Sequence, residues 1–408
     1  MTLNIGAGFT DTYAGLIGWD GTGSVGFQNN INLVKSGAGT LILTGDLTNW
    51  TGTMTNAAEG TDVTSDPTRP TITISGGVLR ATGVINTVVL QTGGIFDDQT
   101  TSHGVNFYLK ITGGLVTSNA LADNAEDVVE DSSKGVYAFN FANTGTTGVS
   151  GSAMYLGAVG ARVFSGPVLS AGSDNTYRFG GGGPWNAVST STLGGSGGYL
   201  QIATANVVTG ANSVIIGDNG SYGDGLGIYG GKSTVEFTAA QNYTGTTMLA
   251  GGTLVFTNSN QLGSPAIVAG SLILDGGILR YSGALTTDVS NRLTIDSGGA
   301  IDTGSNNVTF ASALGNSNTG TSDGTSHPIT NGVGGLTKMG TGTLTLTAAN
   351  TYAGTTTVSG GVLQLNRQTG SLNSASGLTF GGNGTFRLDN TGTSGPLSQT
   401  LGALTFSV

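Results

Sequence analysis

The sequence predicts an all-β fold, a right-handed parallel β-helix (β-solenoid) of about 21 residues per turn. Three observations predict it: a long unit that recurs along the chain, a shorter glycine beat inside that unit, and an apolar/polar alternation of period two within each beat. The long unit is clearest at 336–366, LTKMGTGTLTLTAANTYAGTTTVSGGVLQLN, and a second copy occupies 233–257. The two align without gaps, which superposes Tyr352 on Tyr243, Gly354 on Gly245 and Leu363 on Leu254. A third copy spans 33–80, carries Trp50 at the aromatic position and is interrupted by an insertion over 57–70.

The glycine beat is a Gly-Gly pair followed by apolar residues, its second glycine at Gly77, Gly94, Gly114, Gly252, Gly277, Gly299 and Gly361, with a looser form at Gly382. Neighbouring beats average about 21 residues apart, the length of one solenoid turn and far too short for globular domains. Within a turn, Leu344 and Leu346 alternate with Thr345 and Thr347, Val358 sits in a second Thr-rich run, and Leu363 and Leu365 flank Gln364. One face of each strand is therefore apolar and the other polar. Threonine suits both demands, since its β-branch favours strands and its hydroxyl keeps the outer face wet. Asn350 and Gly360-Gly361 read as turn chemistry. About 19 such turns, about 4.8 Å apart, would make a rod on the order of 90 Å long. The sole helix candidate is Leu121–Gly135, which reads equally as an acidic loop.

Composition narrows the functional classes. Glycine makes up 74 of 408 residues, and only 9% are charged against a typical ~25%. Hydrophobic residues, at 37%, fall in regular pulses and there are 7 prolines, which removes disordered linkers. A net charge of −10 with 13 scattered basic residues argues against nucleic acid and against an anionic membrane surface. No run reaches the ~18 apolar residues of a membrane span. Cysteine is absent, so disulfides and thiolate-bound zinc are excluded. The opening MTLNIGAGFTDTYAG has neither the basic nor the apolar region of a secretory signal, so an export signal is expected outside this chain.

The unit at 336–366 closely resembles the passenger-associated, or autotransporter-associated, β-strand repeat. That pattern opens Lys-x-Gly-x-Gly-Thr-Leu-x-Leu, met by Lys338, Gly340, Gly342, Thr343, Leu344 and Leu346. Its middle, Asn-Thr-Tyr-x-Gly-x-Thr-Thr-Val, is met by Asn350, Thr351, Tyr352, Gly354, Thr356, Thr357 and Val358, and its close by Gly361 and Leu363. The middle copy lacks the opening lysine and glycines. SAMYLGAVGARVFSG (152–166), NTYRFGGGGPW (175–185), GGILRYSG (276–283) and NRLTIDSGGAIDTG (291–304) also look like segments of large proteins that carry this repeat. The resemblance implies a right-handed β-helical passenger, display on the bacterial outer surface or outside the cell, and adhesion; it implies no catalytic residue and no cofactor.

Each candidate for chemistry has a plainer reading beside it. Asp97-Asp98 followed by His103-Gly104 is faintly similar to β-helical polysaccharide-cleaving enzymes, whose acid–base work needs convergent carboxylates. The following basic partners are absent, and the pair reads as aspartates capping a Gly-Gly turn. Asp218, Asn219 and Asp224 offer oxygen ligands without an EF-hand pattern and read as a Gly-rich turn. Gly180–Gly183 lacks a following Gly-Lys-Ser/Thr, so it reads as a tight turn rather than a phosphate loop. His103 and His327 have no metal-like partner nearby. Trp50, Tyr243 and Tyr352 could in principle stack on sugars, but Tyr243 and Tyr352 are about five turns apart, roughly 25 Å, too sparse for a platform. They read as structural rings over the core at a corner.

The expectation is thus a non-catalytic extracellular module with no cofactor and no metal, organised as an irregular capping or docking segment over 1–32 and a solenoid over 33–408. Its candidate partners are a cell-surface or glycan ligand, further repeats of a longer chain, or other copies stacked end to end into a filament. A polysaccharide-active enzyme is the remaining rival. The strand pattern of Leu401, Leu404 and Phe406, unguarded by Pro or Lys, marks a candidate self-association strand. Trp19 lies in the opening segment and could belong to a cap or docking surface.

Overall fold

In a computed structural model of the chain, the described residues are 2–14, 33–44, 72–75, 77–82, 87–90, 94–98, 108–111, 115–118, 128–129, 134–139, 153–172, 174–183, 198–217, 233–264, 270–316, 332–366, 369–389, 391 and 398–407. They are strands and connecting turns, with one short 3-10 helix, Ser259–Leu262. The strand pairings are parallel and link one coil to the next, so the fold is the β-solenoid expected. The chain divides into two compact units, Met1–Ser173 with Gly180–Leu200 and Gly223–Gly230, and Asp174–Phe179 with Gln201–Tyr222 and Gly231–Val408.

In the first unit one ladder runs through β1 (Thr2–Asn4), β3 (Leu33–Ser36), β5 (Ile72–Ile74), β7 (Thr87–Leu90), β9 (Tyr108–Ile111) and β11 (Val128–Val129). A second runs through β2 (Thr10–Tyr13), β4 (Thr40–Leu43), β6 (Gly77–Ala81), β8 (Gly94–Asp98), β10 (Leu115–Ser118), β12 (Lys134–Phe139) and β13 (Ala153–Val159). Strand β14 (Ala161–Phe164) follows; β15 (Thr176–Gly183) and β16 (Tyr199–Ile202) each cross a division between the units.

The second unit contains β17 (Ser213–Ile216), β18 (Thr234–Phe237), β19 (Thr247–Leu249), β20 (Thr253–Phe256) and β21 (Leu272–Tyr281). Its first ladder continues through β22 (Leu293–Asp302), β24 (Leu336–Met339), β26 (Thr356–Val358), β28 (Leu378–Gly381) and β30 (Leu404–Ser407). A second comprises β23 (Val308–Phe310), β25 (Thr343–Leu346), β27 (Val362–Asn366) and β29 (Thr385–Asp389).

The register confirms the coil length. Thr337 stands opposite Thr357, Leu272 opposite Leu293 and Thr356 opposite Leu378. Each of these steps is within a residue of the glycine beat. Where the first repeat is interrupted, Thr40 stands opposite Val78, a step nearly twice as long, and the parallel register is kept across it. The core is a column of alternate residues: Leu344, Leu346, Leu363 and Leu365 are buried, while Thr345 and Gln364 between them are half-buried. Stacking these columns removes from water the apolar face that no single coil could bury.

Two local expectations are corrected. Gly180–Gly183 is not a tight turn but the end of strand β15. The carbonyls of Gly180 and Gly181 would lie 2.7 and 2.4 Å from a Cβ at Gly157, so these glycines serve close backbone approach between coils. The segment Leu121–Gly135 is neither helical nor wholly loop where it is described: it contributes β11 and the start of β12. The opening segment 1–32 contributes β1 and β2, which stack in parallel register on β3 and β4.

Candidate functional site

The corners of the repeat units carry polar side chains into the core. At the corner after β25, Tyr352 is fully buried, and its hydroxyl lies 2.7 Å from Thr356 Oγ1, itself buried. Tyr243 repeats this arrangement with Thr247 at 2.7 Å. Burial pushes the Tyr243 hydroxyl up to about 12 and raises Tyr352 further in the same direction. Rings enclosed in this way offer no face to a sugar. Trp50 lies outside the described residues.

Beside each tyrosine a buried amide ties successive coils together. Asn350 Oδ1 accepts from the Leu314 amide at 2.9 Å, and its Nδ2 donates to Ala348 O and Ser371 O, both at 2.9 Å. It therefore joins the preceding, own and following coils. In the middle copy Gln241 ties its own coil to the preceding one: Oε1 accepts from Val208 N at 2.9 Å, and Nε2 donates to Thr204 O and Ala239 O at 2.9 and 3.1 Å. Gln241 escapes the motif, which asks for Asn. Yet it precedes Tyr243 by the same step as Asn350 precedes Tyr352, and the gapless alignment of the two copies alone would have found it.

The opening Lys-x-Gly is likewise internal. Lys338 is fully buried, and Nζ donates to Met339 O (2.7 Å), Gly340 O (3.0 Å) and, in the next coil, Gly360 O (3.2 Å). Lys35, at the equivalent place, donates to Ser36 O and Gly37 O at 2.8 and 3.0 Å. The glycine two positions on has φ +74 in one copy and +80 in the other, a left-handed turn that directs these carbonyls at the ammonium. Desolvation lowers both lysines to about 8.

These shifts fix a pH response. Between about pH 8 and the unfolded value of 10.5, the unfolded chain holds lysine protons that the folded chain has released, so stability rises with pH. The phenols act oppositely: above pH 10 the unfolded tyrosines ionise while the buried ones stay protonated, and stability falls. The urea midpoint is therefore expected to climb from about pH 8 to a maximum near pH 10. Lys35→Met with Lys338→Met should flatten that climb; a climb identical in both proteins would assign it elsewhere.

Of the carboxylate pair weighed for acid–base chemistry and read as turn caps, Asp97 is the member whose side chain is described. Asp97 is fully buried in β8, not capping a turn, and its Oδ2 accepts from Arg80 Nε at 2.6 Å, its partner in register on β6. The same device recurs where Arg280 donates to Asp302 at 2.8 Å, again between register partners on successive coils. Sequence reasoning missed Arg80; the available signal was a Gly-Gly-x-Leu-Arg run followed one coil later by Gly-Gly-x-x-Asp. Arg80→Ala, which leaves a buried carboxylate without this guanidinium, should cost about 3 kcal/mol in urea unfolding. Asp98 ends the same strand, and its side chain lies outside the described residues, as do Trp19, His103, Gly104, Asp218, Asn219, Asp224 and His327. Among the described residues no group of three or more His, Asp or Glu side chains converges as a metal site. None of their helices is long and apolar enough to cross a membrane. Leu404 and Phe406, on β30, are exposed, and Leu401 before them is half-buried.

The passenger-associated-transport-repeat family matches the chain at residues 33–65, 229–256 and 336–365. A curated relative, the adhesin BmaC autotransporter of Brucella suis biovar 1 (strain 1330), is 36% identical over 135 residues, covering 31% of this chain. The chain spans 4% of the length of that relative. No solved structure matches the chain. The three matches cover the corners built on Lys35, Tyr243 with Gln241, and Lys338 with Asn350 and Tyr352.

Proposed function

We propose that this chain, which carries three passenger-associated transport repeats, is a non-catalytic segment of a surface-displayed passenger that adheres through its outer faces. One observation carries the reading: the motif side chains are spent inside the coil. Lys338, Asn350 and Tyr352 are all buried, so what the molecule offers to a partner lies at outward positions such as Thr345 and Thr357. These are uncharged hydroxyls on parallel strands, suited to many weak hydrogen bonds with a cell-surface or glycan ligand. The relative's name, an autotransporter adhesin, supports the same role and an extracellular location.

The test is direct. Antibody to the purified chain should label intact bacteria that produce the native protein, and the purified chain coated on a surface should retain host cells above an albumin control. Labelling only after permeabilisation, or retention no greater than the control, would refute the proposal. The non-catalytic half has its own test. Pectin-like polysaccharides should release neither reducing ends nor unsaturated products on incubation with the chain; release abolished by Asp98→Ala would restore the enzyme reading.

A further inference from the structure

The turn between β28 and β29 carries a pair of residues that can react with each other. The sequence holds Asn-Gly pairs at 219–220, 331–332 and 383–384, and the last of these is described whole. Asn383 is exposed, and among the described residues neither its carboxamide nor the Gly384 amide takes part in a hydrogen bond. Asparagines elsewhere in the same unit are held. Asn350 is tied by the bonds described above, and Asn316 donates to Ile295 O and Gly334 O while accepting from the Ala353 amide. Asn373 donates to Thr351 O at 3.2 Å and accepts from the Ala375 amide at 3.0 Å. Immediately after the free pair the chain is fixed again. The Thr385 amide donates to Gly361 O at 2.8 Å, and a Cβ on Gly384 would lie 2.3 Å from Val358 O, so the Gly384 backbone rests against the preceding coil.

We propose that Asn383 and Gly384 form a site of spontaneous covalent modification, at which the asparagine is converted to aspartate and isoaspartate, and that the isoaspartate loosens β29. Asparagine is among the thermolabile residues, and glycine brings no Cβ to obstruct ring closure. The Gly384 nitrogen bonds to Asn383 Cγ, the Cγ–Nδ2 bond breaks, and the amino group leaves with the amide proton as ammonia. Water then opens the five-membered imide. Cleavage between the nitrogen and Cγ leaves an ordinary aspartate; cleavage at the main-chain carbonyl leaves isoaspartate, with the chain rerouted through the side chain. Aspartate adds a negative charge to the turn and no more. Isoaspartate also inserts a methylene into the main chain directly ahead of Gly384. The contact with Val358 O and the bond to Gly361 O leave no slack there, so the register of Thr385 on Val362 and Phe386 on Leu363 must yield. The site is independent of the adhesive role.

Peptide mass spectrometry of the aged chain tests the site. Trypsin releases Gln368–Arg387, which contains both Asn373 and Asn383, so one is the internal control for the other. After incubation of the folded protein in warm buffer, fragmentation should place the exchange of an amino group for a hydroxyl at Asn383, with isoaspartate as well as aspartate present, and leave Asn373 unchanged. The rate at Asn383 should be of the same order in native buffer as in urea, because nothing in the fold holds the pair, and it should rise with pH as the Gly384 amide loses its proton more readily. Asn383→Ser should abolish the change. For the structural consequence, amide exchange at Thr385–Asp389 should be faster in the isoaspartyl fraction than in Asn383→Asp, which carries the charge without the extra main-chain atom. Conversion at Asn383 that is far slower in native buffer than in urea, or no faster than at Asn373, overturns the site. Equal exchange in the isoaspartyl fraction and in Asn383→Asp overturns the loosening of β29.

Discussion

Leu346→Asp is expected to open the coil that carries it and to leave distant coils folded. Leu346 is buried between Phe310 of the preceding coil and Leu365 of the following one. The substitution removes the apolar contacts of a fully buried leucine and places a carboxylate where no cation faces it in register. Together these should cost about 4 kcal/mol or more. In a solenoid each coil touches only its neighbours, so the loss is not shared along the chain. Native-state hydrogen exchange should therefore accelerate at Val308–Phe310, Thr343–Leu346 and Val362–Asn366. The amides around Leu41, in the other compact unit, should keep their protection. A uniform loss of protection across the chain would contradict the coil-by-coil account. Loss confined to Thr343–Leu346, with its neighbours unchanged, would contradict the packing that sets the cost.

Gly342→Ala should be nearly as damaging, for a reason that has nothing to do with polarity. A Cβ at Gly342 would lie 1.9 Å from Asn306 O and 2.6 and 2.7 Å from two further backbone atoms of the same residue. The obstruction is main chain held in the ladder, since the Gly342 amide donates to Gly304 O at 2.9 Å. Neither partner can rotate away, and the coils would have to separate. Overpacking of this kind should cost about 3 kcal/mol or more, read as a lowered urea midpoint. A Cβ at Gly39, the corresponding glycine of the first repeat, would lie 2.3 Å from Gly6 O, and Gly39→Ala should behave alike. Thr345→Ala, close to Gly342 but pointing outward, should change stability by no more than about 0.5 kcal/mol. If Gly342→Ala and Thr345→Ala unfold at the same midpoint, close backbone approach is not what the glycines of the repeat provide.

The amino-acid sequence by itself determined the coil. Leucines on alternate positions, threonines between them and glycine pairs recurring once per turn admit a stack of short parallel strands and little else, because period and coil length are local properties written in consecutive residues. The constant offset between copies placed Tyr352 and Tyr243 at equivalent sites, and would have placed Gln241 with Asn350 had the motif not demanded asparagine. What only the tertiary structure decided is which residues of different coils meet. Arg80 and Asp97 lie 17 positions apart, Arg280 and Asp302 lie 22, and Lys338 reaches Gly360 across 22. The interval between partners is not fixed, since insertions change the length of a coil while the ladder preserves its register; each Arg and Asp stands third after a Gly-Gly pair, and only the ladder shows that those two coils are neighbours. The same cause misdirected the reading of Gly180–Gly183 and of Asp97. Glycine permits a turn and equally permits two backbones to touch, and aspartate caps a turn as readily as it receives an arginine. The choice between these is made by what the neighbouring coil places within a few ångströms.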